Sequence, residues 1–256
     1  MTEATYPAQI TAANHVAAVP RRIRALLGGR VIVDTARAIY VWEWPHYPQF
    51  YVPLADVAAG ALDPNGALAH TPRGEVRLHT LRGGDQVRPG AARLVTSSTL
   101  PGVEGTVRFD WDGMDQWFEE DEEVFVHPRS PYVRVDALRS TRAVRIECDG
   151  VVLADAACAV LLFETGLPTR YYLDQATVRF APLVPSATRT ACPYKGRTDA
   201  SWSVATNGGL VTDVAWRYDF PSLAVAPIAG LVAFLNEKVD VFVDGHLLPR
   251  PSTHMA

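Results

Sequence analysis

The run Thr190-Ala191-Cys192-Pro193-Tyr194-Lys195-Gly196 sets a thiol three residues ahead of an ammonium. A nearby ammonium is one way to stabilise a thiolate, so Cys192 is a candidate nucleophile and Lys195 a candidate nucleophile or anion anchor. Gly196 would let the backbone turn tightly after them. No neighbouring histidine supplies the base that most thiol enzymes use, so a structural cysteine on a turn is the competing reading. Two carboxylates come next. Glu43 and Glu164 each follow an aromatic residue, Trp42 and Phe163, at the end of a predicted strand. Apolar neighbours disfavour a charged carboxylate, which suits a general acid or base; a solvated carboxylate at a strand end is the plainer alternative.

The aromatic residues Tyr171, Tyr172, Tyr194, Trp202, Trp216 and Tyr218 form a third group. Alternate residues of a strand share a face, so Trp216 and Tyr218 point the same way and could line a pocket with Tyr194; ordinary core packing competes. The candidate catalytic residues are therefore Glu164, Cys192 and Lys195. The candidate ligand-binding residues are Glu43, Tyr171, Tyr172, Tyr194, Trp216 and Tyr218. His127, His246 and His254 lie in a linker, a turn and a tail, without the spacing of a zinc set. Asp110-Trp111-Asp112 alone is weak support for a metal. No nucleophile elbow, phosphate-binding loop or dinucleotide fingerprint is present, and neither a metal nor a cofactor is expected.

The elements that would position these residues come in two copies. Gly28-Gly29-Arg30-Val31-Ile32-Val33-Asp34 lies over Asp149-Gly150-Val151-Val152-Leu153-Ala154-Asp155. The same register brings Arg24 onto Arg145, Glu43 onto Glu164, and Phe50-Tyr51-Val52 onto Tyr171-Tyr172-Leu173. A second block lays Val107-Arg108-Phe109-Asp110-Trp111 over Trp216-Arg217-Tyr218-Asp219-Phe220, and Val124-Phe125-Val126 over Val241-Phe242-Val243. On this alignment His79-Thr80-Leu81-Arg82-Gly83 stands where the second copy has Cys192 to Gly196. The first copy then reads as degenerate at that motif.

Each copy reads as short strands. The β-branched runs Val31–Val33 and Val151–Leu153 each lead through an Asp-centred turn into Ala38–Trp42 and Ala159–Phe163, predicting a hairpin. Helical spacing over Ala226–Phe234, with a shorter counterpart at Met114–Glu119, predicts one short helix per copy. The expected class is mainly β (α+β), with two tandem copies of a small compact β-domain. The first copy spans 20–127, a proline-broken linker 128–136, and the second copy 137–248.

Composition bounds the function. With 48% hydrophobic and 20% charged residues, the chain has the balance of a soluble globular protein. A net charge of −4, with scattered arginines and an acidic run at Glu119–Glu123, argues against nucleic acid. Three cysteines, none in a Cys-x-x-Cys clip, argue against a disulfide scaffold. Met1–Pro20 lacks a basic region followed by an apolar block, and no stretch has the roughly 20 apolar residues of a membrane span. A cytoplasmic protein without a membrane partner is expected, and a homo-oligomer is compatible with the composition.

The chain resembles the bacterial domain-of-unknown-function family 427 in its tandem form. The resemblance rests on Val151–Asp155, Leu162–Tyr172, Thr190–Gly196, Ala215–Tyr218, Ile228–Phe234, Val241–Gly245 and the linker run His127–Asp136. It covers about Pro20 to Gly245 and implies a compact, largely β fold with no established activity. A nucleotidyltransferase-like label goes with the family, but that chemistry needs a Gly-Ser turn beside an Asp-x-Asp, and this sequence has no Gly-Ser pair. Two readings follow. One is a small-molecule pocket in the second copy, built on Glu164, Cys192 and Lys195 and compatible with enzymatic use. The other is a non-catalytic module binding a ligand or a protein.

Overall fold

The computed structural model describes residues 11–64 and 66–253; His254 and the Met1–Ile10 part of the N-terminal reading lie outside them. The chain divides into one unit from Thr11 to Ser130 and another from Pro131 onward. Among the described residues, no helix is long and apolar enough to cross a membrane.

The first unit contains β1 (Val16–Ala18), β2 (Ile23–Leu27), β3 (Arg30–Thr35), β4 (Ile39–Val41), β5 (Gln49–Pro53) and β6 (Ala67–Thr71). It continues with β7 (Gly74–Gly83), β8 (Gln86–Ser98), β9 (Thr106–Phe109), β10 (Gln116–Glu119) and β11 (Glu122–Val124). A seven-stranded antiparallel sheet runs β1-β4-β5-β9-β8-β7-β6, and a four-stranded sheet runs β11-β10-β2-β3. The second unit contains β12 (Val135–Ser140), β13 (Val144–Cys148), β14 (Val151–Ala156), β15 (Ala159–Glu164), β16 (Arg170–Leu173) and β17 (Leu183–Ser186). Then come β18 (Ala191–Cys192), β19 (Gly196–Arg197), β20 (Ala200–Thr206), β21 (Gly209–Arg217), β22 (Val232–Phe234), β23 (Asp240–Val243) and β24 (His246–Leu247). Its sheets run β12-β15-β16-β22-β21-β20-β17 and β14-β13-β23-β24, with β18-β19 as a small extra ribbon. Leaving that ribbon aside, the two units share one topology. Even an isolated bridge recurs, Val33 to Val57 in one and Ala154 to Val178 in the other.

Local chemistry accounts for the best-matched block. Gly28-Gly29 and Asp149-Gly150 all have positive φ (56°, 71°, 48° and 76°), as the two-residue turn of a tight hairpin requires. That turn joins β2 to β3 and β13 to β14. The matched Arg24 and Asp34 are direct cross-strand neighbours there, as are Arg145 and Asp155. The hairpin expected around Asp34 and Asp155 does not form, because the chain passes there from the small sheet to the large one.

Pairing also corrects the second block. Tyr51 lies opposite Arg108, and Tyr172 opposite Ala233. Arg108 therefore corresponds to Ala233, and Phe109 to Phe234, not to Arg217 and Tyr218. Trp117 sits across from Ala25 as Val241 does from Ile146, so β10 and not Val124–Val126 is the counterpart of β23. His79 faces Ala92 as Trp202 faces Ala215, so His79–Gly83 is not the counterpart of Cys192–Gly196. The predicted helices also change. Leu223–Ile228 forms a 3-10 segment containing Pro227 and is followed by β22, and Gln116–Glu119 is a strand. Proline within so short a run removes a hydrogen-bond donor that a longer helix would need.

Each unit has two apolar layers. The space between the sheets is filled in the first by Tyr40, Trp42, Phe50, Phe109 and Trp117, and in the second by Leu161, Tyr171, Leu173 and Phe234. The opposite face of each large sheet carries a smaller cluster around Tyr51 in the first and Tyr172 in the second. Strand alternation thus sends Phe50 and Tyr171 to one face and their neighbours Tyr51 and Tyr172 to the other. The register places Tyr40 where the second unit has Leu161. Its buried hydroxyl has no hydrogen-bond partner among the described residues. Burial, helped by the charge of Glu119, pushes that phenol up to about 12. Tyr40→Phe is expected to raise stability by about 1 kcal/mol in urea denaturation; a loss of that size would show that the hydroxyl has a partner.

Candidate functional site

In the second unit a side chain from the extra ribbon meets one from the large sheet. Cys192 pairs with Gly196 across the turn Pro193-Tyr194-Lys195. Gly196 has φ +102°, a conformation open to glycine and strained for other residues. The ribbon is tied down at several points. Thr198 N donates to Thr190 O at 2.9 Å, and Ser222 N to Lys195 O at 3.0 Å. Ser222 Oγ donates to Tyr194 O at 2.5 Å. At its root, Asp213 accepts from Ser186 Oγ (2.6 Å) and Thr188 Oγ1 (2.9 Å), and these bonds hold its carboxyl below the usual range.

This scaffold carries Lys195 onto Glu164, at the end of β15, and Nζ hydrogen-bonds Oε2. The two side chains are only 13% and 8% exposed. Burial alone would lower the Lys195 pKa. The acidic groups packed around it, Cys192 and Glu164 first and then Tyr172 and Tyr218, outweigh this and hold the ammonium well above its ordinary value. Lys195 is therefore a cation and hydrogen-bond donor near neutral pH, not a free amine. Tyr172 is fully buried and, chiefly for that reason, pushed up to about 12, while Trp216 Nε1 donates to its hydroxyl at 3.2 Å. Tyr218 is raised as well, first by burial and then by Tyr172.

The structure thus brings together Glu164, Lys195, Cys192, Tyr172, Trp216 and Tyr218. Tyr194 is half-buried on the turn itself. Tyr171 is in the layer between the sheets, away from this cluster. Trp202 also packs on that layer, edge-on to Phe180 with centroids 5.7 Å apart. A second buried ion pair, Arg170 with Glu237 at 2.6 and 2.7 Å, is a bidentate clamp tied further to Thr253.

Glu43 occupies the position equivalent to Glu164, but its partners differ. Tyr51 Oη donates to Glu43 Oε1 at 2.9 Å, and Arg108 Nε lies 3.2 Å from the same atom. Where the second unit inserts its ribbon between β17 and β20, the first has only the turn Pro72-Arg73 between β6 and β7. Arg73 from that turn donates to the Glu43 carbonyl and, at 2.8 Å, to Asn14 Oδ1. Arg108 and Arg93, directly opposite on β9 and β8, both bond Asp110. Glu43, Tyr51, Arg73, Arg93 and Arg108 border a cavity of about 280 Å³. The acid–cation–tyrosine grouping therefore survives in the first copy, with guanidinium in place of ammonium. The arginines escaped the sequence reading because Arg108 was aligned with Arg217. Arg93 and Arg108 share a face only through the β5-β9-β8 order, which no local pattern encodes.

The chain belongs to the family described as Domain of unknown function (DUF427), whose model matches residues 15–120 and again residues 136–245. The two matched stretches hold equivalent strands of the two units. No curated protein matches the sequence.

Proposed function

We propose that the second copy is a small-molecule-binding domain, with Lys195 as the anchor for a polar or anionic ligand group beside Cys192, Tyr194 and Trp216. The observation that supports this most is the buried Glu164–Lys195 pair. A buried ion pair is a poor source of net stability, and clusters of perturbed titratable groups concentrate at functional sites. Here the cation is delivered by a ribbon that the sister domain lacks. Because Lys195 stays protonated, it serves as a donor and counter-charge, and a lysine nucleophile is disfavoured.

A thermal-shift screen of small carboxylates and phosphates on the full chain tests the reading. A true ligand at a hundred times its Kd stabilises by about 2.7 kcal/mol. That gain should vanish in Lys195→Met. A ligand whose shift is the same in Lys195→Met and wild type would remove Lys195 from the site.

A catalytic version, with Cys192 as nucleophile and Glu164 as acid or base, is favoured by one observation: Cys192 and Lys195 sit on the same tight ribbon, where Cys192 pairs with Gly196. Iodoacetamide labelling separates it from simple binding, because exposed Cys158 provides an internal reference. Cys192 labelling faster than Cys158 near neutral pH supports a nucleophile, and equal or slower labelling rejects it.

A further inference from the structure

We infer that the first copy holds a second, independent ligand site: the arginine-lined cavity beside Glu43, which accepts the oxyanion of a small organic molecule, a phosphate monoester being the best chemical match. Charge balance is the first argument. Arg73, Arg93 and Arg108 converge there, against the two carboxylates of Glu43 and Asp110. One positive charge is left for a ligand to balance.

The inventory of unused groups is the second argument. A guanidinium carries five N–H donors. Arg93 uses Nη1 on Asp110, and Arg108 uses Nε and Nη1, so each retains donors without a protein acceptor among the described residues. Ser97 Oγ accepts from Glu75 N (3.3 Å) and Ser98 Oγ from Leu100 N (3.0 Å). Both serines border the cavity, and each hydroxyl keeps its own proton without an acceptor among the described residues. A wall offering mainly donors suits a group offering mainly acceptors, and guanidinium binds phosphate and carboxylate oxygens with matched geometry.

Shape is the third. Beside Tyr51 and Thr71, the remaining wall carries the apolar Pro72, Val76, Val95 and Val103, so the ligand has a small apolar body behind its anion. The volume of about 280 Å³ is at the low end of ordinary ligand pockets, ~300–1,000 Å³. The site is also built by backbone constraint. Gly74 has φ +135°, and a Cβ there would lie 2.2 Å from Ser97 O. Glycine therefore allows the Arg73 turn to close onto the serine-bearing strand.

Calorimetric titration of the full chain with phenyl phosphate, benzoate and phenol tests this. Saturable binding of phenyl phosphate, weaker binding of benzoate and none of phenol is expected, with affinity falling as salt is raised. Arg93→Gln should weaken phenyl phosphate at least tenfold at unchanged melting temperature, because Arg108 still holds Asp110. The paired Glu164→Leu/Lys195→Met variant should keep one saturable phenyl phosphate site, and adding Arg93→Gln to it should weaken that site at least tenfold. No binding of phenyl phosphate, equal binding of phenol, indifference to Arg93→Gln, or loss in the paired variant would each overturn the assignment. The last result would place the anion in the second copy instead.

Discussion

Glu164→Leu alone is expected to destabilise the second copy by about 3–5 kcal/mol, and Lys195→Met alone by a similar amount, whereas the double variant unfolds close to wild type. Each single change leaves a charge with 13% or 8% side-chain exposure without its counter-ion. Replacing both leaves neither, and two apolar side chains of similar volume fill the space. Denaturant unfolding of the three variants measures the effect. Single variants within 1 kcal/mol of wild type would mean that water reaches the pair freely. The exposed pair Arg22–Asp34 in the first copy, with side chains 47% and 43% exposed, is the contrast: its loss should hardly register. Should the double variant be as stable as expected, folding does not explain why the charges are there, and the binding role gains by it.

Much of the frame was legible because it is local. The block from Gly28-Gly29 and Asp149-Gly150 to Asp34 and Asp155 is matched correctly between the copies, although the hairpin closes at the glycines and not, as expected, at the two aspartates. The same register, carried forward without a gap, correctly pairs Glu43 with Glu164 and Tyr51 with Tyr172. Beyond that point local pattern misleads. Val107-Arg108-Phe109-Asp110 and Trp216-Arg217-Tyr218-Asp219 look alike, yet the first lies on β9, whose counterpart is β22, and the second runs off β21, the counterpart of β8. Register between distant strands is set by which face is buried, and a single sequence does not display that pairing. The helix expected over Ala226–Phe234 fails for a related reason. Ile228 belongs to the layer behind the large sheet and Val232 to the layer between the sheets, so a spacing that suggests one helical face serves two different layers.

The same limit shaped the site. Glu164, Cys192 and Lys195 could be named from residue type and spacing, but their meeting depends on a ribbon folding back over β15. The first copy looked degenerate because its cations come from the β6–β7 turn, β8 and β9, three places with no common motif. Duplication has kept the acid and the tyrosine on corresponding strands while the cation has been supplied anew. The anchoring strands are thus the inherited part, and the charge facing them is where the copies diverged.

The inherited pair Tyr51 and Tyr172, together with buried Tyr40 and Tyr218, is expected to make the protein sensitive to alkali. Tyr40 and Tyr172 are pushed up to about 12, in each case mainly by burial. Tyr51 and Tyr218 are raised too, again chiefly by burial. In the unfolded chain all four ionise near their ordinary value of about 10. A folded pKa above the unfolded one leaves stability intact below pH ~10 and removes it as pH rises through the folded value. Carrying a tyrosine from about 10 to about 12 corresponds to roughly 3 kcal/mol, so Tyr40 alone costs the first copy that much at high pH, and Tyr172 the second. Lys195, held above its ordinary value, has the same sign, since its ion pair is complete at neutral pH and is lost only in strong alkali. Ultraviolet titration of tyrosinate should therefore show part of the nine tyrosines ionising near pH 10 and the rest only as the fold is lost. The late fraction should shrink in Tyr172→Phe and disappear in denaturant. Ionisation of all nine near pH 10, with secondary structure retained, would show that these phenols are reached by water and would undo the assignment of Tyr51 and Tyr172 to closed polar clusters.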